Sequence, residues 1–190
     1  MTSNVDSIKG EYIRFKGLAD AAIAQVAEPA LSARASDTDN SIAVICWHLS
    51  GNLESRFTDF LTSDGEKPWR HREEEFQQRT ATREQLVAKW NRGWDVLLKS
   101  LAELSDADLQ RSVIIRGQSV QVNEALHRSL GHVAYHVGQV VYLAKALQGE
   151  RWHYLTIPPG QSDAYNLAPG SEKPEVHAQR LAERIRQSER

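Results

Sequence analysis

Four long stretches of this sequence repeat apolar residues every three or four positions, the spacing that gathers them on one face of a helix. The segments between them are short or broken by Pro and Gly, and 190 residues suffice for one substantial core rather than two. These observations predict an all-α protein, an up-and-down four-helix bundle with a small β-hairpin before the fourth helix and a C-terminal strap after it. A single domain over residues 1–170 is expected to include the strap, with 171–190 as a charged tail or short helix.

The first helix carries Val5, Ile8, Tyr12, Phe15, Leu18, Ala22 and Val26, and ends before Pro29, which has no N–H to continue the ladder. Ser36 to Ser41 supplies N-cap candidates for a second helix bearing Ile42, Ile45, Leu49, Leu53, Phe57 and Phe60, with a stop expected near Asp64-Gly65. Residues 66–79 mix charges, a proline and a tryptophan without a period, which reads as a connecting loop. Thr82-Arg-Glu-Gln85 is a capping box opening a third helix, with Leu86, Trp90, Trp94, Leu97, Leu101 and Leu104 inward.

Arg111 to Val122 places two short β-branched runs around Gly117, the pattern of a hairpin. The fourth helix runs from about Asn123 to Gly149, a residue suited to a left-handed C-terminal position. Its inward stripe is Ala125, Ser129, His132, His136, Gln139, Val140, Leu143 and Leu147. Beyond it, Arg151 to Leu167 has too many large apolar side chains for a free linker and is expected to dock as a strap. The stretch from Pro174 is charged, which suggests a short exposed helix or a fraying end.

Composition narrows the function. With 25% charged residues and a net charge of −2, the chain lacks the basic excess that neutralises phosphates, so nucleic acid is not expected as a partner. No apolar run approaches the ~20 residues of a membrane span, and the first ten residues lack a signal-peptide core, so no membrane partner and a cytoplasmic location are expected. Cys46 is the one cysteine, which rules out an intrachain disulfide and a cysteine-rich zinc site. Any metal must use nitrogen and oxygen ligands.

His132 and His136 stand one turn apart on the inward stripe, and buried imidazoles are costly unless hydrogen-bonded or metal-bound. That spacing lets two rings share one divalent ion. His48, at the margin of the second helix's apolar stripe, is the candidate third ligand. His71, His127, His153 and His177 read as surface or strap residues. Asn52 beside His48, and Gln139 beside His136, are candidates to orient a ligand or bind substrate. Zinc proteases place a glutamate after the first histidine of such a pair, where this chain has Val133, and the inward glutamates of a di-iron bundle are missing. Three neutral imidazoles with open positions suit zinc, nickel or another late first-row ion. Cys46, Trp47, Trp90, Trp94, Tyr135 and Tyr142 are assigned to packing.

His48 together with His132-Val-Ala-Tyr-His136-Val-Gly-Gln139 resembles the DinB-like superfamily over roughly residues 5 to 150. The strap from Leu155 to Asn166 is similar to the tail of one uncharacterised branch of it. The resemblance implies a four-helix bundle with a three-histidine metal site, His48, His132 and His136, holding a divalent transition metal, zinc or nickel. Some relatives are thiol-dependent transferases or isomerases, which implies a metal-dependent transferase acting on a small molecule with activated water or a low-molecular-weight thiol such as bacillithiol, mycothiol or glutathione. Two alternatives stay open. One is a non-catalytic bundle that binds metal or a partner protein, stress-associated in role; the other is a wholly structural set of hydrogen-bonded histidines. A second apolar face on the fourth helix, Leu126, Leu130, Ala134, Val137 and Val141 beside Gly131 and Gly138, is expected to meet a second copy in a homodimer or else receive the strap.

Overall fold

Ser3, Ser41 and Thr82 each start a long helix in the same way. Each hydroxyl accepts the backbone N–H three residues on, from Asp6 at 3.0 Å, Val44 at 3.2 Å and Gln85 at 3.2 Å, which satisfies a donor the helix cannot. The computed structural model describes residues 2–34 and 36–188. These caps open α1 (Asn4–Gln25), α2 (Ile42–Phe57) and, beyond a one-turn α3 (Arg72–Glu75), α4 (Arg83–Ala102). The longest helix, α5 (Val122–Gln148), follows the hairpin directly and stops at Gly149, whose φ of 56° is open to glycine.

The protein is an all-α bundle with one small hairpin. α1 packs on α5 and α4, and α2 packs on α4 and α5, so α1 and α2 take opposite corners. The core between them holds Tyr12, Leu49, Leu53, Trp90, Trp94, Leu97 and Leu126, all buried. Trp94 meets Trp90 and Tyr12 edge to face at 5.3 and 6.4 Å, and the Tyr12 hydroxyl donates to the Leu126 carbonyl at 3.0 Å, tying α1 to α5. Each such side chain contributes about 1.5–3 kcal/mol by leaving water.

α2 ends at Phe57, ahead of the stop expected near Asp64-Gly65. Thr58 adopts an extended conformation with ψ 123° and turns its hydroxyl back to the Glu54 carbonyl at 2.7 Å, and Asp59 has φ 50°. Phe60 is still buried, its ring 5.0 Å from that of Phe57, because the turn folds back on the bundle. The expected loop at 66–79 contains α3 and buries Lys67, Arg70 and Glu75.

The hairpin pairs β1 (Ser112–Ile115) with β2 (Gln118–Gln121), Val113 opposite Val120. Arg116 and Gly117 take φ of 53° and 71°, the two-residue turn whose twist suits a hairpin. The Asp64 carboxylate accepts from both turn amides, at 2.8 and 2.7 Å, and so pins the hairpin tip to the turn after α2.

The C-terminal segment comprises α6 (Ser162–Leu167) and α7 (Pro174–Ser188). The charged stretch from Pro174 is neither exposed throughout nor frayed: α7 lies along α1 with His177 and Leu181 buried, because Gly17 lets Ala178 approach α1 closely. His177 is thus no surface residue. Its Nε2–H donates to the Leu155 carbonyl at 3.0 Å and holds the strap to α7. Within the strap Leu155 is buried, whereas Tyr154 and Ile157 are exposed and Leu167 is 90% exposed. Tyr135 and Tyr142, expected to pack, are 63% and 73% exposed on the outer side of α5, and Leu147 is exposed near its end. Among the described residues, no helix is long and apolar enough to cross a membrane.

Candidate metal centre

α2 turns His48 inward and α5 turns His132 and His136 toward it, so that one nitrogen of each ring lies within 4.8 Å of the others. His48 Nε2 and His132 Nε2 are 3.2 Å apart. Two nitrogens bound tetrahedrally at ~2.0–2.1 Å from one ion stand ~3.4 Å apart, close to that spacing. The structure therefore brings together the three histidines that the helical stripes point inward. Gln139 lies against His136, and Asn52 lies on the wall of a neighbouring cavity with His48 and His132.

Two further contacts fix the tautomers. A carboxylate only accepts, so the 2.9 Å contact between His48 Nδ1 and Glu75 Oε2 places a proton on Nδ1 and turns Nε2 toward His132 Nε2, 3.2 Å away. Gln139 Oε1 accepts a hydrogen bond from Nδ1–H of His136 at 2.8 Å, which places that proton on Nδ1 as well. This is the arrangement in which an outer partner orients an imidazole and raises its basicity as a ligand.

Glu75 is held in turn by Arg70, whose Nε and Nη2 reach its two oxygens at 2.8 and 2.9 Å, a bidentate pair. Burial alone raises the Glu75 carboxyl pKa, but hydrogen bonds from His48 and Arg70, with their charges, outweigh it and hold the group below the usual carboxylate range. Gly51, one turn along α2 from His48, makes room for this carboxylate: a Cβ at that position overlaps Glu75. Phe76 covers the His48 ring at 4.5 Å between centroids.

Burial, and then the neighbouring His136 and His48, push His132 down to about 4. Burial also lowers His136, against a raising contribution from Gln139. Both rings are therefore neutral near pH 7, the state in which imidazole donates a lone pair. Neutral nitrogens with fixed lone pairs from two helices fit a divalent ion, and the cluster is compatible with metal binding.

Glu75 and Arg70 are functional neighbours that reading the sequence alone misses. Glu75 is the third of three consecutive glutamates in a stretch without periodicity, and nothing local separates it from Glu73 and Glu74, which are exposed.

No curated protein and no solved structure matches the chain. A family described as "Protein of unknown function (DUF1572)", which lies within the DinB-like superfamily, matches residues 1–161 and so takes in all four bundle helices, the three histidines and the first part of the strap. The chain belongs to the DUF1572 family.

Proposed function

We propose that His48, His132 and His136 hold a divalent transition metal, zinc or nickel, and that the chain is a metal-dependent transferase acting on a small molecule with a low-molecular-weight thiol or activated water, in the cytoplasm. The observation that carries this reading is the pair of outer contacts, Glu75 on His48 and Gln139 on His136, which engage both Nδ1 atoms outward and leave the Nε2 atoms for the inner side of the cluster. A bound ion supplies positive charge there that favours the anionic, nucleophilic form of a thiol or water. The chain's own residues do the rest. Glu75 and Gln139 hold the rings in register, Arg70 keeps Glu75 ionised, and Phe76 shields His48 from water.

Plasma mass spectrometry on purified protein tests the metal, with about one ion per chain expected and none in a His132→Ala, His136→Ala double variant. Consumption of bacillithiol, mycothiol or glutathione with an electrophilic acceptor then tests transfer. A second reading, a metal-binding bundle without catalysis, is favoured by the engagement of Glu75 with both Arg70 and His48, which leaves it no freedom to act as a general base. Stoichiometric metal without turnover on any thiol or ester substrate supports that reading.

We also propose that the outer face of α5 forms a homodimer. A Cβ added at Gly131 or Gly138 meets nothing within 4 Å, the strap is held instead by Gln25 of α1, His177 and Arg184 of α7 and Lys145 at the far end of α5, and Tyr135 and Tyr142 flank the two glycines in the open. Leu126 and Val137 belong to the chain's own core and are not available to a partner. Light scattering after gel filtration measures the state directly, and Gly138→Leu is expected to yield monomers.

A further inference from the structure

A chain of net charge −2 gathers five arginines, Arg56, Arg70, Arg72, Arg116 and Arg128, on the wall of one cavity of about 210 Å³, and no carboxylate lines that wall among the described residues. They come from separate parts of the fold: α2, the segment entering α3, α3, the hairpin tip and α5. His48 and His132 share the wall. Five of the chain's 23 Lys and Arg residues thus share one wall, beside the histidine centre, in a protein of slightly acidic net charge.

The neighbouring carboxylates satisfy it only in part, Glu73 taking Arg72 Nη1 at 3.0 Å. Glu66 takes Arg116 Nε at 2.9 Å, while Arg56 Nη2 stands 3.4 Å and Arg70 Nη1 3.8 Å from its oxygens. Glu75 is already shared between Arg70 and His48. Nη1 of Arg56 and Nη1 of Arg70 are buried without a hydrogen-bond partner, although the Arg70 side chain is only 2% exposed. Buried guanidinium donors left unpaired are uncommon in folded proteins, and an acceptor such as an anion or water at the site is one account of them. Burial, and repulsion from Arg116, Arg70 and Arg128 against the pull of Glu66, lower the pKa of Arg56, which shows how closely these charges crowd.

We propose that this cavity binds the oxyanion group, carboxylate or phosphate, of the small molecule on which the neighbouring centre acts. Guanidinium forks match either group with paired hydrogen bonds. A cavity of this size, below the ~300–1,000 Å³ of drug-sized pockets, suits a small anion or the anionic end of a small molecule. The anion's role as substrate rests on the reading of the histidines as a metal centre, whereas the arginine site itself does not.

Isothermal titration of metal-loaded protein with malonate and with inorganic phosphate tests this, alongside Arg56→Gln and Arg128→Gln. Arg128 is exposed, so its variant keeps the test independent of folding. Wild-type protein is expected to bind at least one probe at a single site, and each variant to weaken binding about tenfold with metal content unchanged, the loss of one charge-assisted contact. Binding of malonate alone assigns a carboxylate substrate, and binding of phosphate alone a phosphorylated one. No binding of either probe, or affinity equal in wild type and both variants, overturns the proposal. An anion lost from the His132→Ala, His136→Ala variant yet indifferent to the arginines sits on the metal, which also overturns it. Arginine-dependent anion binding in protein that takes up neither zinc nor nickel removes the metal reading through the failed uptake and leaves the anion site standing.

Discussion

Glu75 Oε2 and His48 Nδ1 meet at 2.9 Å across 27 positions of sequence, and the same carboxylate is gripped from its other side by Arg70. The contact orients a core histidine that we propose as a metal ligand. Its removal is expected to weaken metal binding about 10–100-fold while leaving all three histidines in place. Glu75→Gln, which keeps the shape and an acceptor oxygen, tests this by competition with a chromogenic chelator; affinity equal to wild type would remove Glu75 from the centre.

Gly51 gives an independent route to the same carboxylate. In Gly51→Ala the new methyl overlaps Glu75, which has to leave α2 and lose its hold on His48. Metal affinity should fall in the direction of Glu75→Gln although alanine is the better helix former. A gain in thermal stability with unchanged metal affinity would show that the carboxylate is not confined by α2.

The depressed pKa of His132, about 4 against an ordinary 6.5, sets a pH window. Between those values the unfolded chain binds a proton there that the folded chain does not, so stability rises with pH across the window and is lost as pH falls through it. Urea unfolding of metal-free protein should show its midpoint dropping from pH 6.5 toward pH 4, less steeply in His132→Phe. Metal affinity should hold to a lower pH than free histidine allows, because His132 competes for protons poorly.

Asp64 fastens the hairpin tip by accepting from the Arg116 and Gly117 amides, and its carboxyl is held below the ordinary range first by the Glu66 amide and then by those of Gly117 and Arg116. Asp64→Ala should free those amides, and hydrogen exchange at Arg116 and Gly117 should speed up while the amides of α5 stay protected. Arg116 lies on the cavity wall, so the same variant should weaken anion binding.

Truncation after Gly149 strips Leu155 and Leu181 from the core. At ~1.5–3 kcal/mol for each buried leucine, about 3–6 kcal/mol of stability is lost. Folded molecules should keep their full metal content, since no histidine of the centre is removed. A truncated protein as stable to urea as the full chain would place the strap and α7 outside the cooperative unit.

The four long helices are legible in the sequence because each carries a sustained stripe, and the hairpin because Gly117 sits between β-branched runs. The meeting of His48, His132 and His136 is legible for the same reason: an imidazole on an inward stripe has few places to go. Residues 66–79 have no stripe, and the burial of Arg70 and Glu75 there is decided by what they reach in three dimensions. In α7, His177, Leu181 and Ile185 are spaced by four, a weak signal submerged in charge. The strap misleads in the other direction. Its apolar content suggests docking throughout, yet without a period nothing distinguishes Leu155, which docks, from Leu167, which does not.

The pairing of α1 with α7 has a bearing on biosynthesis. The face of α1 that receives Ala178 and Leu181 emerges from the ribosome well before its cover, which is translated after the four long helices. At about 5–20 residues per second that face waits on the order of ten seconds, bare, while the remaining helices assemble. The nascent bundle is therefore most exposed to holding chaperones and to sticking with its neighbours on a polysome along α1, and the last turns of α7 to leave the exit tunnel act as its closing clasp.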